Sequence, residues 1–112
     1  MEFRLDPDIF LIIKDGKKDI EIRLYDEKRK KLNVGDKIIF YKRPEEKEYI
    51  KAIVTKLEKY NTFLDVVDNI DMERIYIENI IREDYLKLMR RFYSEEEENK
   101  YGVLAIYFKV DE

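Results

Sequence analysis

The stretch "YGVLAIYFKV" (101–110) constrains the fold of this chain more than any other segment. It is a run of aliphatic and aromatic residues broken by a single charge, Lys109, and reads as a strand. A long helical segment separates it from every earlier strand candidate. The last strand must therefore travel back across the molecule to join and close a sheet laid down by the first half of the chain.

That first half supplies the sheet. "EFRL" (2–5) alternates as an opening strand, and "DPDIFLIIKDG" (6–16) carries helix punctuation. Asp6 is placed to cap, Pro7 suits the first helical position, and Gly16 suits a left-handed exit. Ile9 to Ile13 could also make a strand, but the two terminators favour a short buried helix. A strand over 18–24 follows, in which Ile20 and Ile22 mark one buried face. "YDEKRKKLNVGD" (25–36) is a basic connection ending in a Gly35–Asp36 turn. "KIIFYK" (37–42) is a β-branched and aromatic strand, "RPEEK" turns at Pro44, and 48–60 reads as a long, bent strand.

The second half changes period. "NTFLDVVDNI" (61–70) is a helix capped by Asn61 or Thr62. Asn79 can cap the helix that follows, whose Ile81, Tyr85, Leu88, Met89 and Phe92 form one apolar stripe. "SEEE" (94–97) fits a capping box with Ser94 as cap and Glu97 three residues on. With no linker or internal repeat, residues 1–112 read as one domain. The expected architecture is α+β, a small mixed or antiparallel barrel with helices plugging it.

Composition then excludes several functions. Hydrophobic residues make up 45% of the chain and charged residues 44%, so it is globular yet dense in ion pairs. There is no cysteine and no histidine. Disulfides and thiolate metal sites are therefore out, as are the commonest general base and zinc ligand. The carboxylates at 95–98 are consecutive and lack calcium-loop spacing, so no metal or other cofactor is expected. No uncharged apolar run could cross a membrane, and "MEFRLDPD" lacks the pattern of a signal peptide, which points to the cytoplasm. A composition rich in Lys, Glu and Ile suits life at high temperature.

Charge is unevenly spread. The formal net charge is −3, yet residues 14–43 hold eleven Lys/Arg against six Asp/Glu, while residues 65–84 hold two against seven. A basic surface that takes phosphates can coexist with an acidic total. The acidic helical half could instead meet a protein partner.

Three ordered motifs carry a resemblance to a known family. "GKKDIEIR" (16–23) fits G-x-K-x-x-E-x-R through Gly16, Lys18, Glu21 and Arg23. "LNVGDKIIF" follows about ten residues later, and the chain closes on "FYSEEEENKYGVLAIYFKV". Together they resemble the ASCH domain (activating signal cointegrator homology) of the PUA-like superfamily, over nearly the whole chain. The resemblance implies a PUA-like barrel of five to six strands with flanking helices, and a cleft beside it lined by Lys18, Glu21 and Arg23. It also implies RNA binding linked to RNA metabolism or translation. One branch of the family hydrolyses acetylated cytidine with the signature Lys, a Thr where this chain has Glu21, and a downstream Glu. Here that last residue could be Glu73 or Glu78. Some members are proposed ribonucleases.

The candidate site residues follow. Lys18 stands before the strand's alternation, so parity leaves its direction open. In a cleft, desolvation lowers its pKa while Glu21 raises it, and it could grip phosphate or act as a base. Glu21 and Arg23 share one strand face about 6.5–7 Å apart. They could pair on a solvated face or frame the edge of a nucleobase. Tyr25 with Lys28, Arg29, Lys30 and Lys31 interleaves an aromatic with cations, as single-stranded RNA binders do. Lys17 and Asp19 are left to solvent, and Tyr93 and Tyr101 to the core. Lys18 and Glu21 would be the reactive pair only if the protein is an enzyme. The expected ligand is RNA, a nucleotide or a nucleoside.

Overall fold

A computed structural model describes residues 1–75 and 80–111. The proposed cap Asn79 and the carboxylate Glu78 lie outside the described residues. Five strands, β1 (Glu2–Leu5), β2 (Ile20–Leu24), β3 (Lys37–Lys42), β4 (Tyr49–Tyr60) and β5 (Val103–Val110), form one sheet in the order β1-β3-β4-β5-β2. Only β1 and β3 run parallel; the other neighbours are antiparallel. The helices are α1 (Pro7–Lys14), α2 (Phe63–Asn69), α3 (Met72–Ile75), α4 (Arg82–Phe92) and α5 (Glu95–Tyr101).

The last strand does return, but to the interior of the sheet, between β4 and β2. Both of its faces are covered, which accounts for its unbroken apolar character. Leu104, Ile106 and Phe108 join Phe3, Phe10, Ile13, Ile38 and Phe40 inside the curl of the sheet, under α1. Val103 and Ala105 face outward with Ile20, Ile22 and Leu24 onto Phe63, Val66, Ile75 and Tyr85 of the helices. β1 and β2 are left as the two free edges of a curled half-barrel.

Local rules set the element ends. Asp6 occupies the N-cap of α1 with Pro7 behind it, but its side chain makes no capping bond; Asp8 instead accepts from the Ile9 N–H at 2.9 Å. Thr62 caps α2, accepting from the Asp65 N–H at 3.1 Å, and Ser94 with Glu97 forms the expected capping box of α5. The α4 helix opens later than its stripe predicts, so Ile81 becomes the N-cap and is 57% exposed. A bulge between Val54 and Lys56 inserts one residue in β4. Side chains change face there: Ile50, Ala52 and Val54 point inward before it, and Leu57 after it.

Glu98 ties three helices together from a buried position. Its Oε2 accepts from the Phe63 N–H at 2.9 Å, an otherwise orphan donor at the start of α2, and its Oε1 accepts from Arg90 of α4 at 3.0 Å. Glu98→Ala leaves that N–H without an acceptor and Arg90 with only the Tyr93 carbonyl, and is expected to lower the urea-unfolding free energy by about 1–3 kcal/mol. An unchanged midpoint would show that water satisfies both groups.

Candidate nucleic-acid interface

The exit from α1 aims Lys18. Gly16 takes a φ of 79°, and the Gly16 and Lys17 N–H groups return to the carbonyls of Ile13 and Ile12, both at 3.0 Å. This Schellman closure turns the chain sharply into β2. Lys18 follows with its side chain directed inward and is only 3% exposed. Its ammonium donates to the carbonyls of Ile75 (2.6 Å) and Ile20 (2.8 Å) and pairs with Glu21 Oε1 at 3.3 Å. An ammonium has three N–H bonds, and three acceptors surround this one.

Asp19 is not left to solvent. Its carboxylate takes a two-point bond from Arg74 at 2.9 and 3.0 Å, and its N–H donates to the Arg74 carbonyl. These contacts and the Lys18–Ile75 bond pin α3 to the start of β2.

Glu21 and Arg23 lie on the face of β2 that looks into the curl, opposite Ile106 and Leu104. They therefore stand at the gap between the free edges β1 and β2. Arg23 donates to Glu21 Oε2 at 3.2 Å, and its guanidinium lies 4.9 Å from the ring centroid of Phe3 on β1. A cation over an aromatic face bridges the two edges where no strand ladder does. Arg29 approaches the same ring at 5.7 Å and pairs with Asp26 at 3.2 Å.

Burial and charge compete within this group. Burial pushes the Lys18 ammonium below the ordinary lysine value, with Glu21 pulling against it. Burial alone would raise the Glu21 carboxyl, but Lys18 and Arg23 together outweigh it and hold it below the usual carboxylate range. Arg23 also works against burial, and Glu21 and the Tyr93 phenol keep its charge favoured. Tyr93 itself is pushed up by burial.

Lys18, Glu21 and Arg23 converge on one cavity of about 200 Å³. Leu88, Met89, Phe92 and Tyr93 of the α4 end form its apolar wall, and Arg4 and Arg43 stand across from them. Among the described residues four cationic side chains and two carboxylates, Asp6 and Glu21, line it, in a chain whose net charge is −3. The α4 stripe, expected to be core, thus serves as a wall, with Phe92 65% exposed. Tyr93 packs on the outer core as expected and also faces the cavity. Arg43 belongs to the basic residues that follow the 37–42 strand, but nothing in the sequence marked Arg4, and the two come close to the cavity because β1 and β3 pair in parallel.

The remaining candidates disperse. Tyr25 lies at the end of β2 in a separate trough, with Lys30 5.7 Å from its ring. Lys28 and Lys31 line a surface depression beside Met1 and Lys37. Glu73 does not line the cavity. Among the described residues no cluster of carboxylates suits a metal ion, and no helix is long and apolar enough to cross a membrane.

A family model for the ASCH domain matches residues 4–111. The hypothetical protein PH0355 is 33% identical with a TM-score of 0.81, over 99% of this chain and 100% of the other. Protein PF0455 from Pyrococcus furiosus is also 33% identical, with a TM-score of 0.75 over 100% and 99% of the two chains. The ASCH protein from Zymomonas mobilis shares the fold, with a TM-score of 0.66 at 15% identity, over 96% of this chain and 65% of its own. No curated protein matches the chain.

Because the folded Glu21 carboxyl titrates below its unfolded value of about 4.3, its charge stabilises the fold in full above that value. The contribution is lost as pH falls through the lowered folded value. Glu21→Gln is expected to flatten the loss of unfolding free energy between about pH 5 and pH 2. Urea titrations across that range check it, and a slope equal to wild type would contradict the arrangement.

Proposed function

The chain belongs to the ASCH domain family, and from that premise we propose that its cavity binds a nucleobase of RNA or of a free nucleotide. The observation that carries this reading is the convergence of Lys18, Glu21 and Arg23 at the floor of one cavity with an apolar wall. Glu21 spends one oxygen on Lys18 and one on Arg23, yet each carboxylate oxygen has a second lone pair. Arg23 spends one of its five N–H donors on Glu21 and also interacts with the Tyr93 phenol, and its side chain is 22% exposed where it lines the cavity. A donor beside an acceptor matches a base edge that presents the complementary pair. Tyr93 and Phe92 offer faces against which a planar ring can pack. Arg43, which pairs with Asp6 at 3.6 Å, is the cavity-lining cation placed for a phosphate, while Arg4 is held by Glu2 and Glu46.

The geometry favours binding over hydrolysis. A lysine whose nitrogen is enclosed by two carbonyls and a carboxylate has no direction left in which to meet a substrate. Lys18 then acts as a positioning residue, holding Glu21 and the end of α3 in place. Glu21, where the amidase branch has Thr, points the same way. The role extends to residues 1–112 read as one ASCH domain.

Titration with a short single-stranded RNA and with nucleoside monophosphates tests this. Arg23→Gln is expected to weaken binding by about 1–3 kcal/mol, the value of a good base contact, while far-ultraviolet circular dichroism stays unchanged. Equal affinity of variant and wild type would overturn the reading. Turnover of an acetylated cytidine that Lys18→Met abolishes would replace it with the hydrolase reading.

A further inference from the structure

A second surface, at the far end of the β2 row, is built for a different part of a polynucleotide. Three tyrosines from three elements meet around Gly102. Tyr101 precedes it, the Tyr25 N–H donates to its carbonyl at 3.0 Å, and the Tyr60 carbonyl presses against its α-carbon. A Cβ at position 102 would lie 3.0 Å from that carbonyl, and φ there is 73°, so only glycine permits the approach. The three side chains are half-buried and line a trough of about 420 Å³.

Cations overlie the rings. Lys59 lies 4.6 Å from the centroid of Tyr25, and Lys100 lies 5.1 Å from that of Tyr101. Both lysines are exposed, and among the described residues neither has an ion-pair partner. Asn61 and Asn99 add amide donors and acceptors at the rim. Among the described residues no acidic one lines the trough, although 26 of the 112 residues are Asp or Glu. Glu58, which accepts from the Tyr60 hydroxyl at 3.3 Å, lies outside the lining.

We propose that this Tyr25–Tyr60–Tyr101 trough, with Lys59 and Lys100, binds a single-stranded nucleic-acid segment. On binding, Lys59 and Lys100 swing from the ring faces to the phosphates, and bases stack on the faces they leave. An acidic peptide would use the lysines but would leave the three ring faces and the amides without a role. Tyr25 of the trough follows Arg23 of the cavity by two residues, so a strand lying in the trough can run toward the cavity. The proposal does not depend on what the cavity holds.

The test is fluorescence anisotropy with a labelled uridine dodecamer at several salt concentrations. The Lys59→Gln/Lys100→Gln variant is expected to bind about tenfold more weakly, with a salt slope reduced by about 1.4. Tyr101→Leu is expected to cost roughly tenfold without changing the slope. Both losses should persist in an Arg23→Gln background, which separates the trough from the cavity. Amide spectra of each variant verify folding, and the Asn61, Asn99 and Gly102 signals should shift on titration. The proposal fails if wild type does not bind the dodecamer, or if the lysine variant binds it as tightly as wild type does. Equal affinity for duplex RNA, or competition by poly-glutamate as strong as by the dodecamer, would also overturn it, because either would mean that the trough reads charge alone.

Discussion

A charged floor inside an apolar curl is the constraint on which the rest of this structure depends. Burying Lys18, Glu21 and Arg23 costs several kilocalories unless every charge is paired and hydrogen-bonded. The fold meets that demand with groups from distant parts of the chain. The carbonyl at the end of α3 accepts a hydrogen bond from Lys18, and the Phe3 ring on β1 takes the guanidinium face. The helical half is thereby locked to the barrel, and the two free sheet edges are joined by side chains instead of backbone. Filling that gap with apolar residues would close the half-barrel more cheaply, and would leave no polar floor. The cost of burial makes sense if the exposed remainder of the triad meets a ligand.

Much of this was legible in the sequence, for identifiable reasons. Elements with both a period and a terminator were readable: α1 between Pro7 and Gly16, α5 from its Ser94–Glu97 box, and β3 and β5 from their β-branched and aromatic runs. The strand pattern also put Glu21 and Arg23 on one face. What alternation could not supply was the environment of that face. Ile20, Ile22 and Leu24 do face a core, but it is the outer one beneath the helices. The charged face looks inward, and this inversion follows from sheet order, a long-range property.

Other features were illegible for the same reason. Asp19 looks like a solvated charge until α3, more than fifty residues later, brings Arg74 beside it. The α4 stripe has the period of a core helix, and only its position at the mouth of the curl turns Leu88, Met89 and Phe92 into a wall. The basic run 28–31 reads as one patch in sequence. Its 3-10 turn instead sends Arg29 inward to Phe3 and Lys30 to the Tyr25 ring, while Lys28 and Lys31 share another surface. The tyrosine trough could not be seen at all, because its three rings come from positions 25, 60 and 101 and meet only through Gly102.

The row Glu21, Arg23, Tyr25 therefore connects two surfaces of different chemistry on one strand: a small polar-floored cavity and an aromatic-cationic trough. The central claim is that the buried triad is the floor of a ligand site. A crystal structure of the protein with a short single-stranded RNA tests it most directly. The account predicts a base in the cavity, its edge within hydrogen-bonding distance of Glu21 and Arg23, with Lys18 still bound to the Ile20 and Ile75 carbonyls. RNA bound elsewhere, over a cavity that remains without a base, would contradict it.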